Sequence, residues 1–158
     1  PLHAVTQRPM FMYHAWGSQN RWLRQIAARN CLYVHPDTAL ALGLADGAMA
    51  WVESHHGRIR CEIRHHAGTA PHTVWTWNAI GKRRGAWGLA SDAPEGARGF
   101  LLNPLISDVL PREKYANADP VTGQASWYDL RVRLEPAGDA ARESLPQFAV
   151  LPDVTAAR

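Results

Sequence analysis

The sequence predicts a small, mainly β domain with short helices, built as a barrel with loop excursions, and three observations carry that expectation. Apolar residues alternate at period two in short runs, as in Ile59, Cys61 and Ile63 against Arg58, Arg60, Glu62 and Arg64. Turn chemistry punctuates the chain at Asp46-Gly47, at His55-His56-Gly57 and in "ANADPVTGQ". A length of 158 residues, 46% of them hydrophobic, suits one buried core and is short for two.

Residues 1–8 read as a connector. Met10 to His14 follow as an apolar strand, and Gly17-Ser18-Gln19-Asn20 breaks it with turn residues. Trp22, Leu23 and Ile26 then fall at helical spacing, so backbone N–H groups and side-chain amides gather at a helix N-terminus. Leu32 to Val34 is a short strand. His35-Pro36 starts a helix with proline at its first position, Asp37 adds a favourable carboxylate, and Ala39, Leu40 and Leu42 supply a buried stripe. Gly43 stops that helix, Asp46-Gly47 turns into the strand Met49 to Ser54, and the alternating strand through Arg64 completes a hairpin that is half buried and half wet.

"HTVWTWNAI" is the next strand, in which Trp75 and Trp77 share one face; packing in the core or at a domain interface is the default for them and cofactor stacking the minority view. The stretch "GKRRGAWGLASDAPEGARG", residues 81–99, is a long loop whose glycine and charge content forbids a regular element. "FLLNPLISDVLP" reads as a short helix and "SWYDLRVRLEP" as the last strand, with Leu130, Val132 and Leu134 on its buried face. The domain body is therefore expected over residues 9–137, with an extended tail over 138–158 lying on a neighbour.

Composition excludes several function classes. Two cysteines cannot build a disulfide framework or a Cys-rich metal site, and Cys31 and Cys61 read as small buried hydrophobes. The pairs His55-His56 and His65-His66 point to opposite faces of a strand and make no clamp, so no metal site is expected. Nor is there a P-loop, a nucleophile elbow or an obvious triad, and no catalytic residue is assigned. The net charge is +3, and Arg supplies fifteen of the seventeen basic residues, a bias suited to phosphate or carboxylate recognition that a GC-rich genome also produces. No run is long enough for a membrane span and no signal peptide is evident, so the chain reads as soluble. Its start at Pro1 suggests a segment of a longer polypeptide.

The unit "VHPDTALALGLADGAMAWVESHHGRIRCEIR", the preceding "MYHAWGSQN" and the closing "NADPVTGQASWYDLRVRLEP" together resemble the C-terminal domain of the large subunits of molybdopterin oxidoreductases of the dimethyl sulfoxide reductase family. The resemblance covers about residues 8 to 137, with His35 standing where the family more often has Asn at the helix start. "TWNAIGKRRGAWGL" and "GFLLNPLIS" are similar to the subgroup of sulfite dehydrogenases and thiosulfate or polysulfide reductases. The resemblance implies a double-psi β-barrel of the aspartate decarboxylase-like type. It further implies a share in binding bis(molybdopterin guanine dinucleotide) with molybdenum or tungsten, for redox chemistry on a small inorganic oxyanion, of sulfur in that subgroup.

By the same resemblance the cofactor contacts are His14, Trp16, Gly17, Ser18, Gln19 and Asn20, with Asn103 and Gln124 as second choices. A pterin dinucleotide presents polar edges that must be fully hydrogen-bonded when buried, and such a loop offers the matching groups. The alternative for this loop is an ordinary turn capping the helix near Trp22, and for Asn103 a turn fixed by the proline after it. Lys82, Arg83 and Arg84 are candidate contacts for phosphate or an anionic substrate, against the alternative of a solvated face. The implied partners are upstream domains of the same large chain, a membrane anchor and an iron-sulfur subunit, in a cytoplasmic or periplasmic assembly, with no nucleic acid expected. The isolated chain is expected to be inactive. The competing classes are a nucleic-acid-binding module, suggested by seven Trp and the basic balance, and a barrel that recruits proteins.

Overall fold

The computed structural model describes residues 1–18, 20–81, 99–109, 116–125, 129–138 and 148–150. Among these described residues, seven strands, β1 (Leu2–Gln7), β2 (Leu32–Val34), β3 (Met49–Glu53), β4 (Gly57–His65), β5 (Thr73–Trp77), β6 (Arg131–Pro136) and β7 (Phe148–Val150), combine with two short helices, α1 (Leu23–Ile26) and α2 (Pro36–Ala41). The strands run in the order β2-β5-β1-β6-β3-β4, and β4 pairs back onto β2, so six strands close a barrel. Closure depends on the nine-residue length of β4. Its first half pairs with β3 and with β7, and its last three residues, Ile63 to His65, pair with β2. Two parallel pairs, β1 with β5 and β2 with β4, sit among antiparallel ones.

Every barrel strand sends small or branched side chains inward: Ala4, Leu32, Val34, Ala50, Val52, Ile59, Cys61, Ile63, Val74, Val132 and Leu134 belong to one core cluster. Branched residues suit this narrow interior because the alternating side chains of a closed sheet must fill it without voids. Trp75 and Trp77, whose neighbours Val74 and Thr76 take the inward positions, lie on the outer face and are half-buried. There Trp75 stacks on Tyr33 at 4.0 Å and meets Trp77 edge-on at 5.0 Å. Burial pushes the thiols of Cys31 and Cys61 up, in keeping with cysteines that act as apolar filling.

Several expectations need correction. Residues 1–8 are not a connector, because Leu2–Gln7 form β1 and lie between β5 and β6. Met10 to His14 form no strand; Pro9 begins a run of turns in which Met12 N–H donates to Pro9 O and Trp16 N–H to Tyr13 O. The proposed helix in "FLLNPLISDVLP" reduces, among the described residues, to one 3₁₀ turn at Asn103–Leu105. Of the stripe assigned to α2, Ala39 is buried, while Leu40 and Leu42 are exposed. Within the expected tail, Phe148–Val150 add to β4 as β7, so that part lies on the barrel itself. The end of α2 behaves as expected, with Gly43 at φ +71° and Leu44 N–H donating to Ala39 O.

Candidate functional site

Strand directions fix where the loops go. β1 and β5 are parallel and end side by side at Gln7 and Trp77, while their antiparallel neighbours β6 and β2 run the opposite way, so the chain enters both of them from that side. The two long connections, 8–31 and 78–130, therefore leave and return at one rim, together with the β3–β4 turn. All the residues singled out for cofactor or anion contact fall in these two connections. The opposite rim carries α2 and the segment 66–72.

Asn30, just before β2, organises the loop rim. Its side chain is buried, and its Nδ2 donates toward the carbonyls of Trp77 (2.8 Å), Ile80 (3.1 Å) and Phe100 (3.2 Å). Its Oδ1 accepts from Trp77 N–H at 3.2 Å and lies 2.9 Å from the Thr76 hydroxyl. One amide thus joins the end of β5 to both shoulders of the long second loop. Gly81 and Gly99 allow those shoulders to meet: a Cβ on Gly81, which sits at φ +129°, would lie 2.3 Å from the backbone nitrogen of Phe100, and one on Gly99 would lie 2.6 Å from Ile80 O. Lys82, Arg83 and Arg84 follow directly on this stem but lie outside the described residues.

The first loop packs by Phe11, Met12, Leu23 and Ala27 against Ala79 and Ile80. Its predicted contact residues divide. Gly17 takes φ +84° with its Cα close to Leu23, where a Cβ would sit 2.9 Å from Cδ1. Asn20 Oδ1 accepts from the N–H groups of Trp22 (2.9 Å) and Leu23 (3.4 Å), so this carbonyl is spent on starting α1, as the turn alternative anticipated. Tyr13, His14 and Trp16 are exposed, and Gln19 lies outside the described residues. His14 is a non-glycine residue at φ +50°, a conformation that costs roughly 1 kcal/mol or more and that surrounding structure must enforce.

Sequence reasoning missed Asn78, the residue after β5. Its N–H continues the β1 ladder by donating to Gln7 O at 3.0 Å, and its Nδ2 lies 3.3 Å from His14 Nδ1. Its Oδ1 is buried and has no partner among the described residues. An orphaned acceptor of this kind costs about 1–3 kcal/mol. Asn30 lies in no motif, and Asn78, although it falls inside the phrase "TWNAIGKRRGAWGL", has as its own signal only an amide next to a strand end, which usually means a turn.

The second loop supplies Asn103 and Gln124, both exposed. Asn103 begins the 3₁₀ turn and accepts from Ile106 N–H at 3.1 Å through its carbonyl. Leu102 and Leu105 on either side plug the barrel, and the Ser54 hydroxyl donates to Leu105 O at 2.7 Å. Gln124 closes a tight loop by accepting from Asp119 N–H at 2.7 Å. Asp119 Oδ1 accepts from the N–H of Thr122 (2.7 Å), from the Thr122 hydroxyl (3.0 Å) and from Val121 N–H (2.9 Å), bonds that hold its carboxyl below the usual carboxylate range. Asp119 thus sets the geometry of this loop through Oδ1.

A groove of about 430 Å³ lies away from this rim, between Pro1-Leu2, α2, Pro71-His72 and Val132–Leu134, and no predicted contact lines it. Among the described residues no group of three or more His, Cys, Asp or Glu side chains could hold a metal ion. No helix among them is long and apolar enough to cross a membrane.

Residues 2–114 match the family described as "Molydopterin dinucleotide binding domain". The chain is 54% identical over 157 residues to one of the subunits of the sulfite dehydrogenase of Allochromatium vinosum, an alignment that covers 96% of this chain and 16% of that protein. The chain thus spans about one sixth of the length of the curated relative it matches. Its fold is similar to part of acetylene hydratase from Pelobacter acetylenicus, with a TM-score of 0.63 and 20% identity over 87% of this chain and 18% of that one.

Proposed function

The chain belongs to the molybdopterin dinucleotide binding domain family, and from that premise we propose that it is the cofactor-gripping domain of a larger molybdenum oxidoreductase whose substrate is a sulfur oxyanion, sulfite first among them. The observation that carries this reading is the 54% identity, over 96% of the chain, to part of a sulfite dehydrogenase. The cofactor proposed is the guanine dinucleotide form, carrying molybdenum or, alternatively, tungsten. When bound, it supplies two-electron redox chemistry at its metal; this chain binds and orients it.

The residues present fit such a group. A buried acceptor at Asn78 awaits an N–H donor, the His14 ring and Ser18 hydroxyl bring further polar capacity, and Gly17 allows close backbone approach. We assign His14, Trp16, Gly17, Ser18, Gln19 and Asn20 to the cofactor, Asn20 through the amide hydrogens its cap leaves available. Asn103 and Gln124 complete the cleft, and Lys82, Arg83 and Arg84 meet phosphate or the incoming anion. The body of the domain is proposed to run from Leu2 to Ala137. Its proposed partners are the remaining domains of the polypeptide, a membrane anchor and an iron-sulfur subunit, on either the cytoplasmic or the periplasmic side.

The test is to purify the full-length polypeptide and measure molybdenum, tungsten, GMP released by acid and sulfite-dependent reduction of an artificial electron acceptor. Stoichiometric metal with GMP and sulfite turnover is expected. A full-length protein with neither metal nor nucleotide would overturn the cofactor role; a loaded protein inert to sulfite would overturn only the substrate.

A further inference from the structure

We propose that Asn78 is a cofactor-binding residue, its Oδ1 accepting an N–H from the 2-amino-4-oxopyrimidine edge that pterin and guanine share. This rests on the cofactor reading above and adds to it a residue outside the loop that suggested it. The argument starts from an imbalance. Asn78 Oδ1 is buried without a partner among the described residues, whereas buried side-chain acceptors are normally satisfied. Nor can the amide escape by moving. Its backbone extends the β1–β5 pairing through Gln7 O, and Trp77 before it is held at both N–H and C=O by Asn30.

The amide is also fixed in its own plane, because Nδ2 faces His14 Nδ1 at 3.3 Å. When Nδ2 donates there, the neutral imidazole carries its proton on Nε2, so the pair presents an acceptor at Asn78 and a donor at His14. Turning the amide over would bury an unpartnered Nδ2 in place of Oδ1, so one polar atom is left for a ligand in either setting. His14 reaches this position only through a left-handed backbone, φ +50°. Two independent features, a strained residue and an orphaned polar atom, thus converge on one point of the rim. A 2-amino-4-oxopyrimidine offers ring N–H and amino donors next to a carbonyl acceptor, which complements such a pair. The apolar groove beside α2 has no comparable arrangement.

The experiment replaces Asn78 in the full-length polypeptide by Leu, a near-isostere without polar atoms, and by Ala, which cannot overpack. Oxidised pterin fluorescence and released GMP per polypeptide report retention, and melting of the cofactor-free form reports the fold. We expect both variants to retain at least about tenfold less cofactor after dialysis, while cofactor-free Asn78→Leu melts no lower than cofactor-free wild type. Binding of GMP and of 6-hydroxymethylpterin to the cofactor-free protein then separates the sources: loss of the first assigns Asn78 to guanine, loss of the second to pterin. Wild-type retention and unchanged binding of both probes in the variants would overturn the inference while leaving the cofactor reading intact. A wild-type polypeptide that carries no pterin dinucleotide would overturn both.

Discussion

The two rims of the barrel follow opposite rules. At the α2 rim, local partners absorb the polar groups: His35 Nδ1 accepts from Asp37 N–H, Asp46 Oδ1 from His65 N–H, the Thr38 hydroxyl donates to Pro71 O, and His65 Nε2 to Leu44 O. At the loop rim, Asn78 Oδ1 has no partner among the described residues, His14 is held at positive φ, and Met10, Tyr13, Trp16 and Trp22 are exposed. The polar groups of the first rim are thus satisfied locally, although Leu40 and Leu42 stay exposed, the latter lining the groove. The second carries an acceptor without a partner among the described residues, a strained backbone and exposed aromatic surface, and on this combination the proposed cofactor edge rests.

Substitutions can break this contrast. The largest effect is expected from Gly81→Val, which places a Cβ within the Phe100 backbone at φ +129°; we expect at least about 3 kcal/mol lost in urea unfolding. Its counterpart Gly43→Ala at the α2 rim meets nothing within 4 Å among the described residues and has only its φ of +71° to strain it, so about 1 kcal/mol is expected. Equal losses would show that the Gly81–Gly99 contact does not hold the loop rim together.

Next comes Asn30→Ala, which leaves the carbonyls of Trp77, Ile80 and Phe100 without their donor. About 3 kcal/mol is expected by denaturant unfolding, together with faster hydrogen exchange at residues 77–81. Exchange unchanged there would remove Asn30 from its organising role. At the other rim, His35→Ala removes a single cap bond and should cost about 1 kcal/mol, with exchange rising only in the first turn of α2.

The smallest effect concerns Asp46, whose carboxyl is lowered first by the bond from His65 N–H and then by Arg64. Because its folded pKa lies below the unfolded one, the stabilisation is present above the unfolded value and disappears as pH falls through the folded value. Asp46 is largely exposed, so the loss between pH about 5 and about 3 should stay below about 1 kcal/mol. Asp46→Asn, which keeps an acceptor for His65, should flatten that part of the pH–stability curve; an unaltered slope would reassign it to another carboxylate.

The α2 unit is legible in the sequence because its rules are local. Proline at the first helical position, Gly43 after the helix and Asp46-Gly47 before β3 each act within a few residues, and the alternation in β4 reports a face directly. β1 is not legible, since Ala4 is its one fully buried residue and its partners lie at 73–77 and 131–132. Met10–His14 mislead because a run of apolar letters hides that Met10 is fully exposed while Met12 is buried. In β5 both faces are apolar enough to be inward, and only the narrow interior decides for Val74 and Thr76 over the tryptophans. The family loop is readable as a phrase, "HAWGSQN", whereas Asn30 and Asn78 act through partners at 76–100 and at 14, distances over which a single sequence offers no pattern.

The stem at Gly81 and Gly99 has a consequence for how such a domain can vary. The mouth of that connection is pinned by backbone contact and by Asn30, so the stem itself sets where the connection leaves the barrel and returns to it. Doubling the length of a closed loop costs only about 0.6 kcal/mol. By closure entropy alone, changing the number of residues between those two glycines therefore costs the scaffold little, so the length of this connection can vary while the stem that joins it to the barrel stays the same.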